Sequence, residues 1–178
     1  NNAESVLCPT QWQASTFPAF MTSNMTVIHE GINTSKVRPN NQAEIVLEGK
    51  LFNKGDEILT YVSRTLEPLR GFHKMMRSLP ALLKERNQLR VIIVGRDTGG
   101  YGKSPEGSRT WKELIWSEVK EQLSCSEMER IYFVGAVSYE DYLRIIQISM
   151  VHVYLTYPFV LSWSLVEAMS AGCAIVAS

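Results

Sequence analysis

Short apolar runs recur along residues 57–178, and segments with helical spacing of apolar residues separate them. The runs are continuously apolar rather than alternating, which is typical of strands that are buried on both faces of a sheet. They predict strands at 58–63, 91–95, 131–135, 151–155 and 174–177. The intervening segments predict helices at 71–86, 109–123, 138–149 and 163–171.

Local signals support these helix boundaries. Ser138 precedes two acidic residues and predicts an N-cap, and Gly172 predicts the end of the last helix. Pro80 lies inside the first helix and predicts a disturbance there. Strands that alternate with helices in this order predict an α/β fold, a doubly wound Rossmann-like parallel sheet with helices on both faces.

Residues 1–56 follow a different pattern of short apolar runs and turn residues. Turn signals at 48–50 and 53–56 predict a hairpin. We interpret 1–56 as the end of an N-terminal domain with an interdomain linker and a possible hairpin, and 57–178 as the Rossmann-like domain. Because the chain stops on an apolar run, we expect this domain to be incomplete at its C-terminus and the chain to be a fragment of a longer protein.

Charge and cysteine content narrow the class of protein. The 18 basic and 18 acidic residues cancel, which gives no electrostatic reason to expect a nucleic-acid partner. The three cysteines are widely spaced and form no CxxC pair, so the sequence predicts reduced thiols, a cytoplasmic location and no metal site. No apolar run approaches the roughly 18–20 residues of a transmembrane helix.

Candidate chemistry lies at the carboxyl ends of the strands, where doubly wound sheets bind ligands. Arg64 and Arg70 follow the first strand and could hold a diphosphate with paired hydrogen bonds. On spacing alone they could also be solvated surface residues, one of them paired with Glu67. The glycine-rich segment 95–107 matches neither the dinucleotide nor the P-loop pattern and is interpreted as a loop.

Glu167 is a single carboxylate within an apolar stretch. It lies three residues after Ser164, so the pair could form a capping box. Alternatively, the helix N-terminus faces the ligand edge of the sheet, and Glu167 could accept hydrogen bonds from the paired hydroxyls of a ribose. The sequence leaves both interpretations open.

Several segments together resemble the group 1 (GT4) glycosyltransferases, in the same order and spacing. These segments are 61–73, 131–135 and 153–178, and the segments 8–18 and 27–33 have close counterparts in the family's interdomain region. The family has the GT-B fold, two Rossmann-like domains with the active site in the cleft between them. The resemblance therefore implies a C-terminal, nucleotide-sugar-binding domain.

The resemblance also implies a role for each matching residue. Arg64 and Arg70 would be the catalytic groups on the donor diphosphate, where many members have lysine at the second position. The nucleobase would meet the backbone of Gly135, Ala136 and Val137. The diphosphate and sugar would meet Leu161, Ser162 and Trp163.

Glu167 matches the second acid of the family's E-x7-E motif, which binds the ribose. The first acid of that motif is replaced by Phe159, which leaves the contact with the transferred sugar open. Because the other positions match, we interpret this departure as the mark of a subfamily, although it is also the main support for the alternative hypothesis of a non-catalytic nucleotide-binding or scaffold domain on the same fold.

The activity implied is transfer of a hexosyl or mannosyl group, with retention and without a metal or cofactor, from a GDP- or UDP-sugar. The acceptor, a glycan, lipid or small molecule, would bind the N-terminal domain, and the protein could associate peripherally with a membrane through that domain. Because catalysis needs both walls of the cleft, the 178-residue chain alone is expected to be inactive.

Overall fold

The computed structural model describes residues 4–107, 109–158 and 161–178. Near the N-terminus, two short strands pair in parallel, and two short helices connect them. The strands are β1 (Val6–Cys8) and β2 (Met25–Val27), and the helices are α1 (Gln11–Ser15) and α2 (Ala19–Thr22). Thr10 caps α1 by accepting the Gln13 N–H, as an N-cap threonine commonly does.

The hairpin predicted from turn residues is present. Its strands are β3 (Glu44–Leu47) and β4 (Lys50–Asn53), which pair antiparallel. Glu48 and Gly49 both have positive φ, as a tight two-residue hairpin turn requires. Phe52 is fully buried and packs edge-on against Tyr132 with ring centroids 4.9 Å apart. The hairpin thus shares the core of the large sheet, although it precedes the boundary predicted between residues 56 and 57.

The predicted parallel sheet is confirmed. Its five strands are β5 (Ile58–Thr65), β6 (Arg90–Arg96), β7 (Ile131–Gly135), β8 (Val151–Tyr154) and β9 (Ala174–Ala177). They lie in the order β7-β6-β5-β8-β9, and every pairing is parallel. β5 is therefore the central strand, and the chain builds the sheet outward from β5 on one side before it returns to the other.

The four predicted helices are present, together with one that the sequence analysis missed. They are α3 (Phe72–Glu85), α4 (Trp111–Val119), α5 (Cys125–Met128), α6 (Tyr139–Ile148) and α7 (Trp163–Ser170). The short helix α5 begins with a capping box between Ser124 and Glu127. α3 continues through Pro80 without interruption, contrary to the expected disturbance, because its buried apolar face packs into the core on both sides of the proline.

Helices cover both faces of the sheet. On one face, the side chains of Leu59, Tyr61 and Val91 pack with α3 and α4. On the other, Ile58 and Ile92 pack with α6 and the hairpin, and α6 in turn packs against α7. Successive residues of each strand point to opposite faces, and both faces are covered. Each strand is therefore a continuous apolar run in the sequence.

All three cysteines lie in the described part of the chain and are free thiols. Within the three described ranges, no helix has both the length and the hydrophobicity needed to cross a membrane.

Candidate functional site

The sheet changes winding direction between β5 and β8, which creates a crevice at their carboxyl ends. The loops that follow these two strands are hydrogen-bonded to each other. The Tyr157 N–H donates to the Leu69 carbonyl at 3.1 Å, and the Thr156 hydroxyl donates to the same carbonyl at 3.3 Å. The two loops therefore form one connected wall at the edge where ligands bind in this fold.

Gly71 permits the close approach of these loops. Its φ is +70°, and a Cβ at this position would lie 2.3 Å from the Leu155 Cβ. Only glycine combines the left-handed backbone with the absence of a side chain. Gly71 thereby fixes the start of α3 directly against the end of β8.

A pocket of about 290 Å³ lies at this crevice. Arg64 and Arg70 reach it from the β5 side, and Ser162 and Ser164 reach it from the start of α7. The structure thus brings together the two predicted arginines and one of the predicted loop residues after β8.

Tyr101 joins the two arginines at this pocket. Each guanidinium carbon lies 5.9 Å from the centroid of the Tyr101 ring, and Arg64 donates a hydrogen bond of 3.4 Å to the Tyr101 hydroxyl. Guanidinium groups this close to an aromatic ring gain cation–π stabilisation. The positive charge at the strand end is therefore concentrated around one aromatic side chain.

The N-terminus of α7 lies at the same edge, where Ser162 and Ser164 line the pocket. Ser162 is the N-cap, and its hydroxyl accepts the Ser164 N–H at 3.2 Å. This geometry shows that the capping-box interpretation of Ser164 and Glu167 is wrong, because Glu167 lies in the second turn of the helix. The partial positive charge of a helix N-terminus adds to that of the arginines.

Glu167 is buried, with only 9% of its surface exposed, and its Oε1 accepts a hydrogen bond of 2.7 Å from the Tyr139 hydroxyl. The hydrogen bond to Glu167 and, secondarily, burial raise the pKa of Tyr139 to about 12. The tyrosine is therefore a permanent donor to the carboxylate at neutral pH.

The loop from β7 to α6 lies beside this carboxylate because Tyr139 is the first residue of α6. Gly135 has a φ of +67°, which turns the chain sharply out of the strand. Ala136 is exposed and Val137 is half-buried. The hydrogen bond from Tyr139 to Glu167 thus links the helix that directly follows the predicted nucleobase loop to the predicted ribose-binding acid.

Among the described residues, Leu161 and Trp163 are not part of the lining of the arginine pocket. Leu161 is half-buried and lines a neighbouring cavity together with Trp12 and Tyr157. Trp163 lies in the first turn of α7 with 62% of its surface exposed. Phe159, which replaces the first acid of the motif, lies outside the described residues.

Glu67 is a further buried acid at this edge that the sequence analysis assigned to no ligand. It is 2% exposed, and its Oε2 accepts the Gly102 N–H at 3.1 Å. A Cβ at Gly100 would lie within 2.3 Å of the same oxygen, so the glycines let the loop approach the carboxylate. The repeated glycines of the 95–107 segment indicated a close backbone approach. They did not indicate its partner, because Glu67 lies 35 residues before Gly102.

Metal ligands do not cluster in the part of the chain that the structure describes: no group of three His, Cys, Asp or Glu side chains there could hold an ion. The two arginines and the N-terminus of α7 supply positive charge at the pocket.

The family model for glycosyl transferases group 1 matches residues 43–178. The chain belongs to the group 1 glycosyl transferases. A second model, for the glycosyl transferase family 4 group, matches residues 1–37. The resemblance inferred from the motifs is thereby confirmed. A comparison with curated proteins gives no match.

Solved structures of this group 1 glycosyl transferase fold are similar over most of the chain. The C-terminal domain of LpcC, a glycosyl transferase group 1 family protein from Francisella tularensis, is 15% identical, with a TM-score of 0.64 over 83% of this chain and 70% of that one. HepE from Anabaena, in complex with UDP and glucose, is 17% identical, with a TM-score of 0.63 over 98% of this chain and 44% of that one.

Sucrose-phosphate synthase from Thermosynechococcus elongatus is 19% identical, with a TM-score of 0.68 over 99% of this chain and 41% of that one. At these identities the likeness establishes the fold. The chain spans less than half the length of HepE and of the synthase.

Proposed function

We propose that the protein transfers a sugar from a nucleotide-diphosphate donor to an acceptor, and that this chain supplies the donor-binding half of the cleft. The observation that carries the proposal is the convergence of Arg64, Arg70 and the N-terminus of α7 on one pocket at the switch point of the sheet. The UDP and glucose held by HepE support a nucleoside diphosphate as the ligand.

The proposed chemistry depends on the charge of the leaving group. As the bond to the sugar breaks, negative charge develops on the departing diphosphate. Fixed guanidinium groups and helix N–H groups stabilise that charge without reorganising during the reaction. This is a metal-independent route, and the family resemblance favours retention at the anomeric carbon. The acceptor binds the other domain, so we place no general base in this chain.

Glu167 is proposed to bind the ribose of the donor. Its carboxylate lies near the nucleobase loop, and Tyr139 already holds one of its oxygens. An ionised carboxylate accepts hydrogen bonds from two adjacent hydroxyls, which matches a 2′,3′-diol. Gly135, Ala136 and Val137 would then contact the base, and Leu161, Ser162 and Trp163 would lie on the diphosphate and sugar side.

Replacement of Glu167 by glutamine is expected to weaken nucleotide binding by the full-length protein about 10–100-fold, because a charge-assisted hydrogen bond contributes about 1.5–3 kcal/mol. The glutamine carbonyl can still accept from Tyr139, so thermal stability without ligand should change little. Calorimetric titration with UDP and GDP measures the effect.

Two controls accompany this titration. A 2′,3′-dideoxy nucleotide should bind the wild type and Glu167→Gln equally, since it lacks the diol. Glu140→Gln changes an exposed acid on α6 that pairs with Arg144, and it should leave binding unchanged. Undiminished binding of the ribonucleotide to Glu167→Gln would remove this residue from the donor site.

The 178-residue chain on its own is expected to transfer no sugar, because the acceptor wall of the cleft belongs to the rest of the protein. Release of UDP or GDP from the corresponding sugar donors, measured in the presence of candidate acceptors, tests this expectation. Measurable turnover by the isolated chain would show that the proposed assignment of donor and acceptor binding to two separate domains is wrong.

The alternative function is a nucleotide-binding scaffold without transferase activity, which the phenylalanine at position 159 favours. A thermal-shift panel of UDP-, GDP- and ADP-sugars on the full-length protein identifies the donor. Nucleotide binding without turnover of any donor would favour the scaffold. Within the transferase proposal, the donor is a GDP- or UDP-linked hexose, the acceptor is a glycan, lipid or small molecule, and the cytoplasm is the location.

A further inference from the structure

Three separate segments meet around the Glu167 carboxylate. α7 provides the acid, α6 provides Tyr139 and Tyr142, and the segment before the hairpin provides Lys36. The Lys36 ammonium lies 4.7 Å from the centroid of the Tyr139 ring, and the rings of the two tyrosines are 5.9 Å apart. The position of the Tyr139 ring is therefore set from two sides, by a cation and by a second aromatic residue.

The two tyrosines differ in what their hydroxyls do. The Tyr139 hydroxyl donates to Glu167 Oε1 at 2.7 Å, whereas the buried Tyr142 hydroxyl completes no hydrogen bond in the described part of the chain, although burial and then the nearby Glu167 carboxylate raise its pKa. Tyr139 is 47% exposed, so its hydroxyl could bond to water at no cost if it served only the fold. Because the Tyr139 hydroxyl instead donates to a carboxylate that is almost fully buried, this hydrogen bond indicates that the tyrosine holds the carboxylate in position.

The hydrogen bond leaves the carboxylate able to bind a ligand. An ionised carboxylate has about four acceptor positions on its two oxygens, and Tyr139 occupies one of them. The others can accept both hydroxyls of a diol. A donor fixed on Oε1 also restricts rotation of the carboxylate plane, which lowers the entropy lost when a rigid diol binds.

We propose that Tyr139 is a positioning residue for ribose recognition: through its hydrogen bond it orients Glu167 and makes the donor site selective for ribonucleotides over 2′-deoxyribonucleotides. The inference rests on the proposed function, because it assigns a specificity device to the same nucleotide site. Tyr139 acts through the acid and takes no part in the bond that is broken.

The test is calorimetric titration of the full-length protein with UDP and GDP, and with their 2′-deoxy and 2′,3′-dideoxy forms. Tyr139→Phe keeps the ring and its contact with Lys36 but removes the hydroxyl. We expect it to weaken binding of the preferred ribonucleotide about 10-fold, because this is the loss in affinity when one hydrogen bond to a charged group is removed. Binding of the dideoxy form should stay unchanged, and the preference for ribose over 2′-deoxyribose should fall.

Glu140→Gln is the matched control, since it changes the exposed side chain next to Tyr139 on the same helix, which pairs with Arg144, and should leave binding as in the wild type. In a double-mutant cycle, Tyr139→Phe should add little to Glu167→Gln, because both changes act on one interaction. Steady-state kinetics should show a raised donor KM with kcat nearly unchanged, as expected for a contact remote from the reacting bond.

The outcomes separate this inference from the proposed function. A wild type that binds none of the nucleotides overturns both. A wild type whose binding is weakened by Glu167→Gln but not by Tyr139→Phe overturns only the role of Tyr139. Equal losses in Tyr139→Phe and Glu140→Gln, or an equal loss for ribose and dideoxyribose nucleotides, would also overturn it, since they indicate a general disturbance of the helix.

Discussion

Replacement of Arg64 by alanine is expected to lower the rate of sugar transfer by the full-length protein about 10²–10³-fold, the usual loss when one preorganised donor to a developing negative charge is removed. Arg64 lies at the end of the central strand, exposed at the pocket and in contact with Tyr101. Its removal deletes positive charge at the proposed leaving group while the buried core stays intact. Single-turnover kinetics with the preferred donor measure the effect.

Two further variants make this result interpretable. Arg64→Lys keeps the charge but loses the planar pair of donors, so an intermediate rate is expected. Arg77→Ala removes a surface arginine on α3 that pairs with Glu118 at 2.7 Å, and it should leave the rate within a factor of two or so of the wild type, as for other exposed ion pairs. Equal rates for Arg64→Ala and Arg77→Ala would place the diphosphate elsewhere.

The free energy of unfolding is expected to fall as the pH is lowered from about 6.5 toward 4, by about 3 kcal/mol from His152 alone at 1.36 kcal/mol per pKa unit. His152 is fully buried in β8, and burial lowers its pKa from 6.5 to about 4. Below pH 6.5 the unfolded chain binds a proton that the folded chain does not, so the proton stabilises the unfolded state. Above pH 6.5 both states are neutral at this residue and the effect vanishes.

Urea unfolding between pH 7 and pH 4.5, compared with His152→Asn, isolates this contribution from that of the carboxylates. The asparagine does not titrate, so its stability should depend less steeply on pH. In the wild type, His152 Nδ1 is 2.9 Å from the Thr60 hydroxyl, while Nε2 has no partner in the described part of the chain. Identical pH profiles for the two proteins would mean that the pKa of His152 is the same in the folded and unfolded states.

The fold was predictable because its signals are local or periodic. A strand buried on both faces must be apolar throughout, and residues such as Ser138 and Gly172 act on the helix that they adjoin. The helix disturbance predicted at Pro80 was wrong because a local signal was followed where packing over a longer range decides the structure. The propensity of one residue was outweighed by the packing of a whole helix face, which no local window contains.

The candidate site was predictable only in part. Arg64 and Arg70 follow one strand, and the strand-end rule alone places them at the ligand edge. The partner of Glu167 was missed because Tyr139 lies 28 residues earlier in the chain, and a hydrogen bond across that distance leaves no spacing to detect. The capping-box interpretation was wrong for a related reason, since Ser162 and Ser164 are equally good caps in sequence and only the backbone selects between them.

The central position of β5 also constrains the order in which the sheet can assemble. Its partner β6 follows after a single helix, but its other partner β8 comes much later, with Thr60 and His152 separated by 92 residues. Closing a loop of that length costs conformational entropy before the new contacts offset it, so pairing of β8 is intrinsically slow. As the chain emerges from a ribosome, one edge of β5 therefore stays open until β8 is made, and the crevice between these strands is the last part of the β5 neighbourhood to form.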